Sequence, residues 1–273
     1  MLATPASTDS GHGRKRPKLF RALGHSEPPL MVSVDGKPCQ RVDIFKHDSW
    51  AATAVYQASD GQKIVCKFNR QSPIGLLSMR WLGRKLAKRE RNFLQQLQGV
   101  RGIPEVFTSV QVNGHECDYA VAHDFIPGKP LSLSNGVRRD FFEKVEELLG
   151  ELHSRRIAYV DLHKQENVIV GDDGLPYLID FQVSVQLPKG RLGDQLLKML
   201  RDGDLYNMDK HRWLHRRQAA NTQPFPRPWW LQAHRCIGVP LRTLRRRFLV
   251  LIGVRRGNGS ASTELAPEVG LRV

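Results

Sequence analysis

The sequence predicts an α+β fold of two unequal lobes, and three observations lead to that prediction. Short apolar stretches separated by turn residues occupy most of the N-terminal third, which is typical of strands. Longer stretches with an apolar residue every three or four positions follow, which is typical of helices. A short apolar hairpin around Asp172-Asp173-Gly174 lies between two of the helical stretches. Strands that come first and helices that come later favour an α+β chain.

Each element is predicted from its apolar period and from the residues that end it. The pair Asp60-Gly61 is typical of a hairpin turn between strands, and Pro127-Gly128 is expected to form another turn. Gly102 and Pro104 should end the first helix. The predicted strands are 42–45, 52–58, 63–68, 106–112, 119–125, 168–170 and 177–179. The predicted helices are 76–97, 141–153 and 191–217.

Composition divides the chain into four parts. Residues 1–38 are rich in Pro, Gly, Ser and basic residues, and we expect a flexible basic segment there. Residues 39–126 are expected to form the strand-rich lobe with its helix, and residues 127–235 a reduced helical lobe. Residues 236–273 are a basic segment that we expect to be partly disordered.

The chain is strongly basic. It has 42 Lys and Arg residues against 27 Asp and Glu residues, a formal net charge of +15 and a pI of about 10.0. Such a charge attracts polyanions, which include nucleic acids, anionic lipid headgroups and phosphate-bearing substrates. Composition alone does not choose among these partners.

Neither the cysteines nor the apolar residues indicate export or a membrane span. The four cysteines are widely spaced without a Cys-x-x-Cys pair, which argues against a zinc site or a disulfide framework. The N-terminal residues lack the apolar run of a signal peptide. The longest apolar run, 248–254, has seven residues, whereas a span needs roughly 20. We therefore expect a cytoplasmic protein, or one bound at the inner face of a membrane.

Lys67 and Glu90 are the first candidate site residues. Lys67 interrupts an apolar strand, and taken alone it is more simply explained as an exposed residue of an edge strand. Glu90 lies four residues after Leu86 and four before Leu94, which places its carboxylate on the apolar face of the first helix. A carboxylate on that face requires a cation, and a pair with Lys67 would orient the ammonium toward phosphate oxygens. A Glu at the rim of the surface is the alternative.

Three further polar residues follow or bracket short apolar stretches. Asp161 and Asn167 bracket a polar loop that leads directly into an apolar strand, and Asp180 follows the next strand. The hairpin between these strands should bring Asn167 and Asp180 to one edge. Mg²⁺ takes oxygen ligands from few protein groups, and a carboxylate with an amide oxygen suits that preference. Asp161 would then be available to orient or deprotonate an acceptor hydroxyl.

In this order, the residues resemble the protein-kinase-like phosphotransferases, and among them the compact bacterial and RIO-like members. The resemblance covers residues 40 to 187. It implies a protein-kinase-like bilobal fold with a strand-rich N-lobe and a reduced helical C-lobe, and the use of ATP and Mg²⁺. Lys67 would contact the α- and β-phosphates and pair with Glu90. Asp161 would be the catalytic base or orienter, with Asn167 and Asp180 as metal ligands.

The sequence departs from the family pattern before Lys67. The stretch 46–53 has no glycine, although small residues there, Ser49 and Ala51, are expected to let backbone N–H groups approach the phosphates. Asp124, in the predicted strand 119–125, completes the cofactor-binding candidates.

Other departures concern regulation and substrate. Tyr159-Val160 replaces the His-Arg pair of the catalytic loop, which argues against control by activation-loop phosphorylation. No Ala-Pro-Glu motif follows Asp180, so a complete peptide groove is not expected. The loop from Asp161 to Asn167 is one position longer than usual, and thirteen positions separate Asn167 from Asp180, as the family pattern requires. We therefore keep Asn167 as the ligand, with Glu166 as the competing candidate.

The C-terminal part suggests a partner. Arginines flank the apolar run 248–252, a pattern typical of a segment that lies on anionic lipid. A helix that closes the lobe with a solvated Arg face is the alternative. Residues 210–217 are basic and include Trp213, yet no nucleic-acid-binding module accompanies them, so we do not expect a nucleic-acid partner.

The sequence does not decide which of two classes of hydroxyl group accepts the phosphate. The resemblance implies transfer of the γ-phosphate of ATP to Ser or Thr of a protein, or to a sugar of the lipopolysaccharide core. The truncated groove and the basic surface favour the sugar. A pseudokinase scaffold that binds nucleotide and a membrane or protein partner is the alternative. The missing glycine loop supports that alternative, and the intact Lys, Asp and Asn residues count against it.

Overall fold

A computed structural model describes residues 20–74, 76–134 and 136–215, together with Pro228 and Trp230. These residues divide into two compact units that interleave in sequence. The first unit contains the described residues up to 87 and residues 109–120. The second contains residues 88–108 and the described residues from 121 onward. The predicted C-terminal segment 236–273 lies outside the described residues.

The first unit is built on an antiparallel sheet. Six of its strands have the order β6-β5-β1-β2-β3-β4. Strand β4 is buried along almost its whole length, so its apolar residues run without the alternation of a half-exposed strand. The strands β1 to β6 are Met31–Val34, Lys37–His47, Ala51–Ala58, Lys63–Asn69, Val110–Val112 and His115–Glu116.

Strand β1 corrects one sequence prediction. Residues 1–38 were expected to be flexible, but Met31–Val34 pairs with β2, with Val34 opposite Lys37. Val32 and Val34 are buried on one face of this short strand. The surrounding Pro, Gly and Ser residues hide the strand pattern, since only two apolar residues alternate there.

Helix α1 spans Arg80–Gln96, which is shorter at its start than the predicted 76–97. Ile74 and Leu77 exchange two backbone hydrogen bonds of 3.0 Å before the helix begins. The helix passes from the first unit into the second between residues 87 and 88.

The second unit combines two long helices with short strands. Helix α2 buries Phe141, Val145, Leu149 and Leu152 on one face, which confirms the predicted amphipathic helix at 141–153. Strand β7, Ala120–Asp124, begins at the last residue of the first unit. The strands β8 to β12 are Gly128–Pro130, Ile157–Ala158, Val168–Gly171, Pro176–Leu178 and Val185–Gln186. The helices α2 and α3 are Phe141–Ser154 and Arg191–His215, and short 3₁₀ helices occupy Leu131–Leu133 and Gln165–Asn167.

Gly128 belongs to a strand and not to the predicted turn at 127–128. It pairs with Gly171 at the end of β10, in a three-stranded sheet of order β11-β10-β8. A Cβ atom at Gly128 would lie 2.3 Å from the Val170 carbonyl oxygen, and φ is +152°. Only glycine allows this close approach of two backbones.

The predicted α+β class is confirmed, with an antiparallel sheet first and the two long helices α2 and α3 later. The order of elements is a sheet, the helix α1, the two further strands β5 and β6 of the sheet, and then the helix α2, a polar loop and the β10–β11 hairpin. Cys39, Cys66 and Cys117 are buried free thiols, whereas Cys236 is outside the described residues. In the described part of the chain, no helix has the length and apolar character needed to cross a membrane.

Candidate functional site

Asp161 lies in the polar loop between β9 and β10, where its carboxylate is buried. Two donors share its Oδ2 atom: Lys164 Nζ at 2.7 Å and Asn167 Nδ2 at 2.8 Å. His163 Nδ1 lies 3.3 Å from the other oxygen, Oδ1. The structure therefore brings together Asp161 and Asn167, the two residues that bracket the polar loop.

The two competing metal candidates, Asn167 and Glu166, differ in burial. It is buried at the end of the 3₁₀ helix, whereas Glu166 is exposed. The hydrogen bond from Asn167 to Asp161 uses the amide nitrogen. The amide oxygen, which is the atom a metal ion requires, takes no part in that bond.

The β10–β11 hairpin sets Asp180 beside this loop. Val168 is paired with Leu178, and the Ile179 N–H donates to the Asn167 carbonyl at 3.1 Å. Asp180 is therefore one residue beyond the position that faces Asn167. The Tyr159 hydroxyl also donates to the Ile179 carbonyl, which ties the polar loop to the same strand end.

Two residues of this region have an unusual backbone conformation. Val160 has a φ of +69° and Asp180 a φ of +64°. A β-branched residue such as valine is a true outlier in the left-handed region, because its side chain crowds the backbone there. Such strain persists only where neighbouring contacts hold it, and it concentrates at functional sites.

Asp204 on α3 provides contacts that hold the strained loop. Its carboxylate accepts the backbone N–H of Tyr159 at 2.9 Å and that of Val160 at 2.8 Å. His153 of α2 lies with Nε2 3.0 Å from the Asp204 Oδ2 atom. Asp204 is 1% exposed, so these bonds are formed away from water, where an unsatisfied carboxylate would be costly.

A second residue of α3, His211, holds the other end of the loop. Its Nε2 atom lies 2.6 Å from the Leu162 carbonyl, and its Nδ1 atom lies 3.2 Å from the Gln165 amide nitrogen. Burial lowers the pKa of His211 to about 4, so the ring is neutral at neutral pH. A neutral ring carries one N–H, so Nε2 donates to Leu162 and Nδ1 accepts from Gln165.

Asp204 and His211 were not predicted from the sequence, although their positions on the helix carry a signal. They are seven residues apart on α3, and Met208 between them is buried on the same face. A carboxylate and an imidazole in the buried phase of a charged helix indicate polar partners inside the protein.

In the first unit, Lys67 lies in β4, opposite Thr53 of β3. It is 8% exposed, so it is not the exposed edge-strand lysine that was the simpler explanation of the sequence. Burial of an ammonium group requires compensating partners. Glu90, on the part of α1 that belongs to the second unit, is likewise buried.

Ala51, a predicted phosphate-binding residue, follows the turn between β2 and β3. The Asp48 carboxylate accepts the backbone N–H of Trp50 at 2.7 Å and that of Ala51 at 3.0 Å. The Ala51 N–H, which was expected to approach a phosphate, therefore has a partner within its own turn. An Asp at this position commonly accepts hydrogen bonds from the backbone two or three residues on.

Asp48 is itself held as an anion. Burial opposes its ionisation, but Lys46 at 2.9 Å and the two backbone N–H groups outweigh that effect and lower its pKa. Ser49 lies in the same turn, and its carbonyl accepts a hydrogen bond from the Arg70 guanidinium.

Asp124 ends β7, and its backbone is engaged on both sides. Its N–H donates to the Glu105 carbonyl at 2.9 Å, and its own carbonyl lies 2.8 Å from His123 Nδ1. Across the described ranges, no cluster of three or more His, Cys, Asp or Glu side chains is arranged to hold a metal ion. The candidate Mg²⁺ ligands Asn167 and Asp180 are one amide and one carboxylate.

Comparisons with known proteins give partial matches. No family model matches the sequence. A probable SapB synthase of Streptomyces coelicolor is 30% identical over 116 residues, a match that covers 35% of this chain and 12% of that protein. The chain thus spans only a small part of this relative.

Two solved structures of the Rio2 kinase from Chaetomium thermophilum are similar to the chain. The complex with ADP/Mg²⁺-phosphoaspartate has a TM-score of 0.47 and 16% identity, and covers 69% of this chain and 59% of that one. The other structure has a TM-score of 0.48 and 15% identity, and covers 77% and 61% of the two chains.

Proposed function

We propose that this chain is an ATP- and Mg²⁺-dependent phosphotransferase of the protein-kinase-like type, which transfers the γ-phosphate to a hydroxyl group. The observation that carries the proposal is the hydrogen bond between Asn167 and the buried Asp161 carboxylate, at 2.8 Å, in a loop tied to the strand that precedes Asp180. An acid, an amide and a second acid so arranged match the groups that phosphoryl transfer requires.

Each residue has a distinct role in the proposed reaction. Asp161 accepts the proton of the acceptor hydroxyl as that oxygen bonds to the γ-phosphorus. The bond from the γ-phosphorus to the β–γ bridging oxygen breaks, and ADP leaves. Mg²⁺ bound by Asn167 and Asp180 would neutralise charge on the phosphates.

Lys164 adds a positive charge that the sequence analysis did not include. Its ammonium lies 2.7 Å from the Asp161 carboxylate. A cation at this distance keeps the carboxylate oriented and can also attract a phosphate oxygen. Lys67 is proposed to contact the α- and β-phosphates, and Glu90 to orient Lys67, as the resemblance implies.

Thermal-shift titration with Mg·ATP and a measurement of ATP turnover test the proposal. Wild-type protein should be stabilised by Mg·ATP and should release ADP, and Asp180→Ala should lose the turnover. Asp172→Ala is the matched control, because Asp172 is an exposed carboxylate of the same hairpin. If Mg·ATP neither stabilises the wild-type protein nor is turned over by it, the proposed enzyme activity is wrong.

A pseudokinase scaffold is the second candidate, and the turn at Asp48 favours it. A carboxylate there takes the N–H groups of Trp50 and Ala51, which a phosphate would otherwise use. Under this candidate the chain binds nucleotide weakly or not at all, and its role is to recruit a membrane or protein partner. Mg·ATP binding without turnover would favour the scaffold.

The acceptor is proposed to be Ser or Thr of a protein or a sugar of the lipopolysaccharide core. The net charge of +15 suits a phosphate-bearing acceptor or a partner on an anionic membrane. Neighbouring genes for surface polysaccharides would favour the sugar. Sedimentation with liposomes tests the predicted membrane contact of the basic C-terminal segment: binding that is unchanged without residues 241–273 would contradict it.

A further inference from the structure

Exposed apolar residues lie just before α1 and in its first turn, in the first unit. We call this group the apolar tip and define it as Ile74, Leu76, Leu77 and Trp81. Leu76 is fully exposed, Leu77 is 70% exposed and Trp81 is 61% exposed. Single exposed apolar residues are ordinary, but large ones this close in sequence mark an interaction site.

The base of the apolar tip is held by a buried arginine. The Arg70 guanidinium donates to three backbone carbonyls: Nη1 to Ser49 at 2.5 Å, Nε to Ser72 at 2.8 Å and Nη2 to Pro73 at 3.2 Å. Arg70 is 1% exposed. A buried guanidinium that satisfies three carbonyls fixes the chain that leads into the tip.

The start of α1 is fixed against the same residue. A Cβ atom on Gly83 would lie 2.2 Å from the Arg70 carbonyl oxygen, so the helix backbone packs directly on this strand end. Ile74 and Leu77 are joined by two backbone hydrogen bonds of 3.0 Å. The backbone groups of Ile74 and Leu77 are therefore held by hydrogen bonds, while their side chains are exposed.

The surroundings of the apolar tip are basic. No Asp or Glu occurs in the sequence between Asp60 and Glu90. Arg80, Arg84 and Lys85 are all exposed on the first turns of α1. Arg84 pairs with Asp118 at 2.9 Å, and both groups are more than half exposed, so solvent weakens that pair.

We propose that the apolar tip inserts into the interface of an anionic lipid bilayer while Arg80 and Lys85 contact the lipid headgroups. Leucine side chains beside a tryptophan and basic residues are the composition of segments that lie in such interfaces. Leu76, Leu77 and Trp81 are each more than half exposed. A lipid surface can take up such side chains without a preformed groove, whereas a protein partner would require one. This inference is independent of phosphoryl transfer and places membrane contact outside residues 236–273.

Sedimentation of the full-length chain with vesicles tests the proposal. Wild-type protein should bind vesicles of phosphatidylglycerol and phosphatidylcholine, and bind phosphatidylcholine vesicles much more weakly. The double variant Leu76→Ser/Leu77→Ser should reduce binding to the anionic vesicles by about tenfold or more, since it removes apolar burial. The variant leaves residues 236–273 intact, so any binding by that segment persists in it.

The matched control is Leu30→Ser/Val42→Ser, which removes two exposed apolar residues elsewhere in the first unit and should leave binding unchanged. Because all four substituted side chains are exposed, both variants should keep the wild-type Tm. A second readout is the tryptophan emission, which should shift to shorter wavelength on anionic vesicles, and less so in Trp81→Phe.

Two results would overturn the proposal. One is equal vesicle binding by the wild type and Leu76→Ser/Leu77→Ser. The other is self-association of the wild type without lipid that this variant abolishes, measured by light scattering, because it would assign the apolar tip to a second copy of the chain. Without vesicles, the wild type and Leu76→Ser/Leu77→Ser should have the same ATP turnover, because the apolar tip is proposed to act only in membrane binding.

Discussion

The Asp204 carboxylate accepts the backbone N–H of Val160 at 2.8 Å, and Val160 is the β-branched residue that precedes Asp161 with a φ of +69°. This bond couples a helix of the second unit to the strained residue beside the proposed catalytic base. The hydrogen bond stabilises the left-handed backbone conformation of Val160, which is otherwise unfavourable for a β-branched residue.

Asp204→Asn should destabilise the protein and reduce ATP turnover. An asparagine offers one acceptor oxygen in place of a carboxylate that serves Tyr159, Val160 and His153. Breaking a buried charged network costs about 3 kcal/mol or more. Denaturant unfolding measures the loss, and Asp202→Asn, an exposed change on the same helix, should alter stability by less than about 0.5 kcal/mol. Equal stabilities of the two variants would contradict the role of Asp204.

Asn167→Ala and Glu166→Ala should separate the two metal candidates. The Mg²⁺ concentration for half-maximal turnover should rise by at least about tenfold in Asn167→Ala, since even groups that only support a metal ligand have effects of this size. Glu166 is exposed, so Glu166→Ala should keep the wild-type Mg²⁺ dependence. The measurement is ATP turnover as a function of Mg²⁺ concentration in each variant. A larger change in Glu166→Ala than in Asn167→Ala would assign the metal ligand to Glu166.

His211 should make the protein less stable in mild acid. Its pKa is lowered to about 4 in the folded protein from an ordinary 6.5, so the unfolded chain binds the proton first as the pH falls. The stability due to neutral His211 is complete above pH 6.5 and is lost as the pH falls toward about 4. Between about pH 7 and about pH 5 this loss amounts to about 2 kcal/mol.

His211→Gln provides the comparison for that pH dependence. A glutamine can still donate to the Leu162 carbonyl, but it does not titrate. Unfolding free energies measured at both pH values should fall less in His211→Gln than in the wild type. If both proteins lose stability equally, another group is responsible for the acid sensitivity.

Asp48→Asn should strengthen Mg·ATP binding under the proposed function. The amide oxygen can still accept the N–H groups of Trp50 and Ala51, but the negative charge near the phosphates is removed. We expect the KM for Mg·ATP to fall by about fivefold, which corresponds to a charge interaction of about 1 kcal/mol in water. Asp43→Asn is the control, since Asp43 is an exposed acid on the neighbouring strand β2. A KM unchanged in Asp48→Asn would show that this turn does not approach the nucleotide.

Part of the fold could be predicted because its elements are long enough to show a period. The helix at 141–153 and the strands around Asp60-Gly61 were found within a residue or two. The strands at 128–130, 157–158 and 185–186 have two or three residues, which is too short for any pattern. Their pairing depends on partners distant in sequence, such as Val185 with Ala158.

The same limit applies to the candidate site. Asp161 and Asn167 could be predicted to act together because they are close in sequence and bracket one loop. Asp204 lies more than forty residues from the backbone groups that it binds, Tyr159 and Val160, so no local pattern reveals the bond. The hydrogen bonds from the Trp50 and Ala51 N–H groups to Asp48 were not predicted. Small residues in that stretch suggested that a phosphate could reach the backbone N–H groups, but a nearby carboxylate competes for the same donors.

The bond between His211 and Gln165 has a consequence for the ancestry of this protein. Gln165 lies in the polar loop between Asp161 and Asn167, and His211 contacts it from α3. A lineage that shortened the loop would leave the imidazole without this donor, and one that replaced His211 would remove a contact that holds the loop. Among related chains, loop length and the residue at position 211 should therefore be inherited together.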